Sequence, residues 1–261
     1  MPEGDTLFRT AAGLRPYLVG RDVVAARTQG PGPVPHVARI VGRRIDAVES
    51  QGKNLLIRFD GGLELRTHLR MNGSWHRYRP GERWRRPPAR ARLVLEVDGS
   101  VAVCFDAPVV ELFERRAEPV HPSLSRLGPD LLADDFDPAE AIRRLRDPVR
   151  RDVSISAALL DQRALAGIGN IWRNETLFVE RVSPWATVGS LDGEALDRLV
   201  ATARRLLLAS VATAPGRGAF AVYRRAGRPC PRCGAAIRSR PAERAVARTT
   251  YWCPTCQGEG R

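Results

Sequence analysis

The first residues of the chain place a nucleophile next to a proton donor. The sequence begins Met1-Pro2-Glu3-Gly4, and removal of Met1 would leave Pro2 with a free secondary amine. Because an α-amino group titrates at about pH 7.7–8.0, much of it is neutral and nucleophilic near neutral pH. Its attack on an electrophilic carbon would give an iminium ion, and Glu3 could give or take a proton. Many chains begin Met-Pro without such chemistry, so these residues alone leave catalysis open.

Lys53 is a second candidate because it is the only lysine in a chain with 42 basic residues. It lies in a turn, Gln51-Gly52-Lys53-Asn54, rather than on a helix face. An ammonium group can exchange a proton, whereas the planar guanidinium of arginine effectively never loses one. A coding bias that turns lysine into arginine wherever the two are equivalent would spare a lysine that the chemistry needs. We therefore favour a functional Lys53 over a chance survivor.

Four of the five cysteines form two Cys-x-x-Cys pairs near the C-terminus. The pairs are Cys230 with Cys233 and Cys253 with Cys256, a spacing typical of a four-thiolate zinc site. We expect one structural zinc ion, because four thiolates leave no open position for chemistry; two redox pairs are the less favoured alternative. Cys104 lies in a strand pattern and is expected to be buried. Arginines around the pairs would form a basic finger that grips nucleic acid; they are Arg238, Arg240, Arg244 and Arg248.

The composition favours a soluble protein with a polyanionic partner. The 261 residues carry a net charge of +13, and 43% are hydrophobic, which is enough for a packed core. An acidic membrane surface would also suit the charge. However, no apolar run approaches the roughly 20 residues of a spanning helix, and the N-terminus has no signal pattern. We therefore expect a soluble intracellular protein. We also expect a cytoplasmic monomer of a bacterial-type cell, associated with the nucleoid and not with a membrane.

The N-terminal part of the chain reads as a β-rich unit with one helix. Apolar residues at helical spacing predict a helix over 5–15, which would hold Pro2 on a rigid mount. The Arg- and Pro-rich stretch 79–90 is expected to be a loop whose charges contact phosphate or are only solvated. A catalytic β-sandwich domain is predicted over 1–117. Its β-type segments are Val23-Val24, Ile40-Val41, 55–59 with 63–65, and 92–97 with 101–105.

After a linker over 118–136, the periodicity becomes helical, and a four-helix module is predicted over 137–215. The cysteine pairs predict a zinc finger over 226–261. The expected helix starts are Asp137-Pro138, Ser154 or Ser156, a helix from about 171, and Asp192. The turn 167–170, Gly-Ile-Gly-Asn, precedes one of these helices. It could cradle phosphate with helix N-terminal N–H groups or serve as a tight interhelical turn. Both interpretations stay open at this point.

Six short motifs span nearly the whole chain. They are Pro2-Glu3-Gly4, Gln51-Gly52-Lys53, His68-Leu69-Arg70-Met71-Asn72-Gly73, Arg126-Leu127-Gly128-Pro129-Asp130, Ala166-Gly167-Ile168-Gly169-Asn170-Ile171 and Arg248-Thr249-Thr250-Tyr251-Trp252-Cys253. In this order they resemble the formamidopyrimidine-DNA glycosylase and endonuclease VIII family of base-excision repair enzymes. The resemblance implies an α+β fold with an N-terminal β-sandwich and helix, a helix–two-turns–helix module and a C-terminal zinc-finger β-hairpin.

The resemblance also implies catalytic roles for four residues. Pro2 would attack C1′ of the damaged nucleotide and expel the base, and Glu3 would donate a proton as the sugar ring opens. Lys53 would assist at the sugar–phosphate during strand cleavage. Arg248 would serve the second elimination.

Further residues would bind the DNA. Arg248 and Asn170 would grip the phosphates that flank the flipped nucleotide, and Arg70 and Arg126 would contact DNA. Met71 would fill the gap left by the flipped base, since chemistry on a stacked base requires its extrusion. Without the family context, Met71 would be interpreted as an ordinary core methionine.

The chain departs from the family pattern at several positions. Thr6 stands where both main branches carry a Glu, and Arg70 replaces a polar wedge residue. Asp106-Ala107-Pro108-Val109 follows the strand where the oxidised-purine branch has an Arg-Arg-Phe-Gly-like sequence. The segment 212–222 is too short for the loop that covers an oxidised purine. Together with Pro-Glu-Gly, it favours oxidised pyrimidines.

The sequence therefore predicts a bifunctional DNA glycosylase and AP lyase that acts on damaged DNA. The first alternative is a catalytically silent protein of the same architecture that recognises lesions or junctions. The second is an unrelated zinc-ribbon RNA-binding protein. The second explains the charge and the zinc but neither Lys53 nor the Pro-Glu start.

Overall fold

The structure, a computed structural model, describes residues 2–30, 34–213, 220–241 and 248–258. The chain divides into two compact units, Met1–Ser125 and Arg126–Arg261. This division falls inside the stretch 118–136 that the sequence assigns to a linker, while the finer domain boundaries stay a prediction. Among the described helices, none has the length and apolar content needed to cross a membrane.

The first unit is built from two antiparallel four-stranded sheets and one long helix. One sheet has the strand order β1-β6-β7-β5, and the other has the order β2-β3-β4-β8. The elements are α1 (Gly4–Leu18), β1 (Val23–Thr28), β2 (Ile45–Gln51), β3 (Asn54–Phe59), β4 (Leu63–His68), β5 (Ser74–Tyr78), β6 (Ala91–Val97), β7 (Ser100–Phe105) and β8 (Val109–Glu114). The predicted sandwich with an N-terminal helix is therefore confirmed.

One apolar core joins the helix and both sheets. The helix contributes residues spaced by about one turn, such as Leu7, Ala11 and Leu14, as an amphipathic helix must. In β6, Leu93 and Leu95 face this core, whereas Val94 between them faces the other side of the sheet, because strand side chains alternate. A second set of apolar residues covers that outer side. We call it the outer cluster; its members are Tyr78, Ala91, Val94, Val101, Val103 and Phe105.

Some elements differ from the prediction. The helix runs three residues past 15, and Ile40-Val41 is not a strand. Ile40 ends a short 3₁₀ turn, Val37–Ile40, whose carbonyls accept bonds from Val41 and Arg43. Ile40 is completely buried because it packs on the core, so its apolar side chain is not evidence of a strand. Strands β2, β5 and β8 were not predicted, since polar residues interrupt their apolar pattern.

The second unit contains four helices in its first part and a small hairpin in its last part, within its described residues. The elements are α2 (Pro138–Leu145), α3 (Ile155–Ala158), α4 (Asn170–Val179), α5 (Gly193–Ala212), β9 (Arg238–Arg240), β10 (Thr250–Trp252) and α6 (Pro254–Gln257). Asp137, Ser154 and Asp192 cap three of the helices through their side chains, which confirms the predicted starts. The α3 helix is a single turn that ends at Ala158, before the predicted Leu160.

The hairpin packs on α4 and the residues after it. Arg232 donates to the carbonyl oxygens of Phe178 and Val179 (3.0 and 3.2 Å), the last residues of α4, where a cation suits the helix dipole. Gln257 donates from Nε2 to the carbonyl of Val182 (3.0 Å). The fold class predicted from the sequence, α+β with a sandwich, a helical module and a cysteine-bearing hairpin, is confirmed.

Candidate active site and zinc centre

Pro2 and Glu3 form the entry to α1. Glu3 is the N-cap residue, and its carbonyl oxygen accepts bonds from the N–H groups of Thr6 and Leu7 (3.0 and 3.1 Å). The Glu3 side chain makes no capping bond, and the residue is completely buried. The helix therefore fixes the backbone of the buried Glu3 directly after the half-buried Pro2.

Three hydrogen bonds fix the direction of α1 along β2. The Gly20 N–H, just after the helix, donates to the carbonyl oxygen of Ile45 (2.8 Å), and Arg15 donates to that of Val48 (3.0 and 3.2 Å). Helix and strand therefore run antiparallel. With a rise of about 1.5 Å per helical residue and about 3.4 Å per strand residue, Pro2 lies at the same end of the sheet as Lys53.

Lys53 lies at the tip of the two-residue hairpin between β2 and β3. Gln51 and Asn54 pair across the hairpin, and Gly52 has a φ of 58°, a left-handed conformation that favours glycine. A two-residue hairpin is short and stiff, so it presents the half-buried Lys53 at the edge of the sheet. The Gln-Gly-Lys motif thus has a structural reason for its glycine.

His68 lies on the neighbouring strand, beside the lysine turn. It pairs in register with Asn54, and its Nδ1 accepts the N–H of Arg70 (3.2 Å). Burial lowers the pKa of His68 to about 4, and the charges of Arg66, Lys53 and Arg70 act in the same direction. His68 is therefore a neutral imidazole in a cationic corner at neutral pH. The sequence analysis quoted this residue in a motif but did not single it out.

Leu69–Gly73, which we call the wedge loop, presents Met71 to solvent. The Gly73 N–H donates to the carbonyl oxygen of Leu69 (2.9 Å), and a Cβ on Gly73 would lie 2.6 Å from that oxygen. Arg70 is exposed with a φ of 45°. Met71 is 54% exposed, which excludes an ordinary core methionine. An exposed apolar side chain on a tight turn suits insertion into a base stack.

In the second unit, the start of α4 is tied to the strand that follows Arg248. Asn170 donates from Nδ2 to the carbonyl oxygen of Thr249 (3.1 Å), and Arg173 donates to the same oxygen (3.2 Å). Thr249 follows Arg248 directly. The structure therefore holds Asn170 against Thr249, the residue after Arg248. The phosphate contacts that the family resemblance implies for Asn170 and Arg248 stay a prediction.

Asn174, one turn further along α4, completes this connection. Its Nδ2 donates to the Asn170 carbonyl oxygen (2.6 Å), and its Oδ1 accepts from the Tyr251 N–H (2.9 Å). It is completely buried. Sequence reasoning missed Asn174, since its partner Tyr251 lies far along the chain and no local pattern reports the pair.

Arg126 begins the second unit and is exposed. The segment that it opens packs against residues 162–166. The Gly128 N–H donates to the carbonyl oxygen of Gln162 (2.9 Å), and a Cβ on Gly128 would lie 2.6 Å from the carbonyl group of Ala164. The motif Arg126–Asp130 therefore lies next to the Ala166–Ile171 motif, and its glycine is required by close packing.

The four cysteines of the finger converge. Their sulfur atoms all lie within 4.8 Å of one another; the pairs Cys233–Cys253 and Cys230–Cys256 are 3.4 and 4.0 Å apart. A tetrahedron with Zn–S bonds of about 2.3 Å has edges of about 3.8 Å, so the set fits one zinc ion. Backbone N–H groups of Arg232 and Cys256 point at Cys230 and Cys253 sulfurs (3.4 Å each). In contrast, Cys104 lies in β7, and complete burial raises the pKa of its thiol.

Comparison with known proteins gives matches along most of the chain. Residues 1–108 match the model of the formamidopyrimidine-DNA glycosylase N-terminal domain, and residues 127–220 match that of the formamidopyrimidine-DNA glycosylase H2TH domain. The chain is 40% identical to "Probable endonuclease 8 2" of Streptomyces coelicolor, over 98% of this chain and 94% of that protein. It is 39% identical to "DNA-(apurinic or apyrimidinic site) lyase Nei2" of Mycolicibacterium smegmatis, over 98% and 99%. Its fold is similar to that of the MutM (Fpg) protein of Thermus thermophilus, with a TM-score of 0.84 and 31% identity over the whole of both chains.

Proposed function

The chain belongs to the formamidopyrimidine-DNA glycosylase family of base-excision repair enzymes, and we propose that its glycosylase and AP lyase chemistry runs through the amine of Pro2. The observation that carries this proposal is the position of Pro2 and Glu3 at the start of α1. Both precede a rigid helix, Glu3 is shielded from water, and the direction of α1 along β2 puts Pro2 at the Lys53 end of the sheet.

The proposed reaction begins with the neutral amine. Its nitrogen attacks C1′ of the damaged nucleotide, the bond from C1′ to the base breaks, and the base leaves with the bonding electrons and takes up a proton. The nitrogen, which became cationic on attack, loses its N–H proton. Its lone pair then opens the C1′–O4′ bond, while Glu3 donates a proton to O4′. The result is an iminium ion between Pro2 and the opened sugar.

Strand cleavage follows from the same intermediate. The iminium ion makes a C2′ proton acidic, and its loss leads to expulsion of the 3′ phosphate. Lys53 assists at the sugar–phosphate, because a lysine side chain can donate a proton as the ammonium and accept one as the neutral amine, whereas a guanidinium effectively never loses its proton. Arg248 serves the second elimination. Water finally hydrolyses the iminium and regenerates Pro2.

DNA binding is assigned to both units. Arg248 and Asn170 would hold phosphates, which the tie from Asn170 to Thr249 supports, and the exposed Arg126 and Arg70 would add cationic contacts. Met71 would fill the space left by the flipped nucleotide. One chain supplies every residue named, so we propose a monomer, and we propose that it acts on chromosomal DNA in the bacterial cytoplasm.

The structural metal is assigned to the finger. Cys230, Cys233, Cys253 and Cys256 would hold one zinc ion, because four convergent thiolates are the donor set that structural zinc uses. The ion would stabilise the hairpin that bears Arg248. It would take no part in the reaction, since no coordination position would be left for substrate.

We propose oxidised pyrimidines as the preferred lesions. The Pro-Glu-Gly start and the short segment 212–222 support this preference; residues 214–219 lie outside the described part of the chain. Duplexes that each contain one oxidised pyrimidine or one oxidised purine would test it. Faster single-turnover excision of the purine would contradict the preference and leave the Pro2 chemistry untouched.

Borohydride trapping tests the chemistry. Reduction should join the protein covalently to DNA that contains an abasic site, and mass spectrometry should find the adduct on Pro2. In a variant that retains Met1, the nitrogen of Pro2 is part of a peptide bond and is not nucleophilic, so trapping on Pro2 should fall by at least about 10³-fold, as expected on loss of a nucleophile. Pro2→Gly should trap poorly while still binding. Equal trapping by the variant that retains Met1 would remove Pro2 from the mechanism.

A further inference from the structure

A cavity of about 680 Å³ lies on the first unit, lined by residues 82–88 and Arg27. It belongs to the Arg- and Pro-rich stretch that the function described so far leaves without a role. At its centre is Trp84, which is half-buried. Three arginines surround this indole along the chain: Arg83, Arg85 and Arg86.

Trp84 is held in a fixed orientation by the outer cluster. Its ring stacks on Tyr78, with centroids 6.1 Å apart and planes 27° from parallel. It also meets Phe105 edge-on, at 5.8 Å and 83°. The ring therefore rests against the sheet on one side and borders the cavity with its remaining exposed surface.

The backbone beside Trp84 is also fixed. The Arg85 N–H donates to the Tyr78 hydroxyl (3.0 Å), and that hydroxyl lies 2.9 Å from Nδ1 of His76. Nε2 of His76 in turn lies 3.0 Å from Oγ of Ser74. This chain of hydrogen bonds runs from β5 into the loop, so the indole is mounted on the sheet rather than on a free segment.

Arg86 connects the cavity to the wedge loop. It lines the cavity, and its guanidinium donates to the carbonyl oxygen of Asn72 (3.2 Å), the residue after Met71. The same group is paired with Asp106 (2.6 Å), which Arg90 also holds (2.8 Å). A nucleotide at the wedge loop therefore lies within one side-chain length of the Trp84 cavity.

We propose that the Trp84 cavity is a stacking site for an unpaired nucleobase of DNA bound at the wedge loop. A rigid aromatic face with cationic side chains around it is the arrangement that single-stranded nucleic acid uses, because every base offers a π-face and every nucleotide a phosphate. The exposed Arg83 would meet that phosphate. The proposal rests on the proposed function only in taking DNA as the ligand.

The test uses the full-length protein and unmodified single-stranded oligothymidylate, with binding followed by fluorescence anisotropy. Trp84→Ala should weaken binding by about tenfold, the effect expected for one stacked base. Trp84→Phe should keep most of the wild-type affinity, because its ring can still stack on a base. If Trp84 acted only through a hydrogen bond from its indole N–H, this variant would bind as weakly as Trp84→Ala. Arg83→Ala should flatten the dependence of log affinity on log salt by about 0.7, the value for one phosphate contact on a single strand.

Arg115→Ala is the matched control for the arginine variant. It removes the same charge from the other sheet, just beyond the pairing of Leu63 with Glu114 and opposite to the end where β4 leads into the wedge loop, and it should leave the salt slope unchanged. A 2-aminopurine within the oligonucleotide gives a second readout. Its emission should be quenched by the wild type and less so by Trp84→Ala.

Wild-type affinity and wild-type quenching in Trp84→Ala would overturn the proposal and leave Trp84 as a cover for the sheet. If Trp84→Ala fails to fold, Arg83→Ala decides, and a salt slope equal to that of Arg115→Ala is then the contradicting result. Borohydride trapping separates this proposal from the function. A wild type that binds and quenches but does not trap would refute the Pro2 chemistry and support the stacking site.

Discussion

The two units hold their functional residues by different physical means. In the first unit, Pro2, Lys53 and Met71 sit at the ends of elements whose other residues form an apolar core. In the second unit, Asn170 and the strand after Arg248 are joined by hydrogen bonds among buried polar groups, next to a cysteine cluster. The first arrangement depends on packing and the second on satisfied polar contacts.

This difference has a consequence for function. Apolar packing is distributed over many contacts, so the position of Pro2 and Lys53 should survive the loss of any one neighbour. A buried polar network is less tolerant, because removing one partner leaves the others unsatisfied. Perturbing the first unit at its reacting groups should therefore lower rates, whereas perturbing the second unit should lower affinity.

Among changes that leave Pro2 intact, substitution of Lys53 should give the largest effect. If it does not lower the rate, the distinction drawn between the two units is wrong. Lys53→Arg keeps the charge but loses the exchangeable proton, so single-turnover strand cleavage at an abasic site should fall by about 10²-fold. Affinity for the same duplex should change little. Lys53→Ala should be no worse than Lys53→Arg in rate, but it should also weaken binding. A Lys53→Arg variant with wild-type rate would show that only the charge matters.

Removal of zinc should act on affinity. Chelation or Cys256→Ser would release the hairpin that bears Arg248, so binding to damaged duplex should weaken by about tenfold or more, since a structural zinc supplies the folding energy of so small a segment. Trapping at saturating DNA should change far less. Cys104→Ala is the control, because Cys104 lies in β7 of the first unit and is not one of the four convergent cysteines, so this variant should retain one zinc per chain. If zinc removal lowered the rate at saturating DNA as much as it lowered the affinity, the second unit would not act on affinity alone, and the distinction between the units would be wrong.

Asn174→Ala tests the polar network itself. It would leave the Tyr251 N–H without its acceptor, which costs about 1–3 kcal/mol for a buried group, and it would release the start of α4 from β10. We expect about tenfold weaker binding, with little change in rate at saturation. Asn174→Asp keeps the acceptor for Tyr251 and loses the donor to Asn170, so its effect should be intermediate. Wild-type affinity in Asn174→Ala would show that the network is dispensable.

The sequence indicates candidate residues for both sites, but it does not indicate the contacts that hold them. Gly52 before Lys53 predicts a tight turn, and the two Cys-x-x-Cys pairs predict a metal site. Each of these patterns is formed by residues that lie close together in the sequence. The link between Asn174 and Tyr251 joins residues far apart in the chain, so no local spacing reveals it. The same limit explains why Trp84 could be placed in a loop but not on the outer cluster.

Strands show the same limit. The hairpin β6–β7 was predictable, since apolar runs flank Asp98-Gly99. The strand β5 was not predicted, because polar residues interrupt the apolar pattern of its sequence, Ser-Trp-His-Arg-Tyr. Ile40-Val41 was wrongly predicted as a strand, because buried apolar residues also occur at the ends of 3₁₀ turns. Burial decides these cases, and burial depends on partners that the local sequence does not specify.

The smallest expected effect is the pH dependence of stability that His68 confers. It tests whether the Lys53 end of the first unit is shielded from water. Its pKa of about 4 in the folded state lies below the value of about 6.5 for an exposed histidine. Between pH 6.5 and 4 the unfolded chain therefore takes up a proton that the folded chain refuses, so the free energy of unfolding falls as the pH falls through this window. Above pH 6.5 both states are neutral, and the contribution is constant.

NMR titration of the four histidines would measure this directly, with His68→Gln to identify the resonance. We expect the His68 signal to stay constant from pH 8 to about 5.5 and to move only near pH 4. In denaturant unfolding, the wild type should lose about 1 kcal/mol more than His68→Gln between pH 7 and 5, after allowance for partial exposure. A His68 signal with its midpoint near 6.5 would mean that the Lys53 corner is open to water, and the shielding ascribed to the packed end of the sandwich would then be wrong.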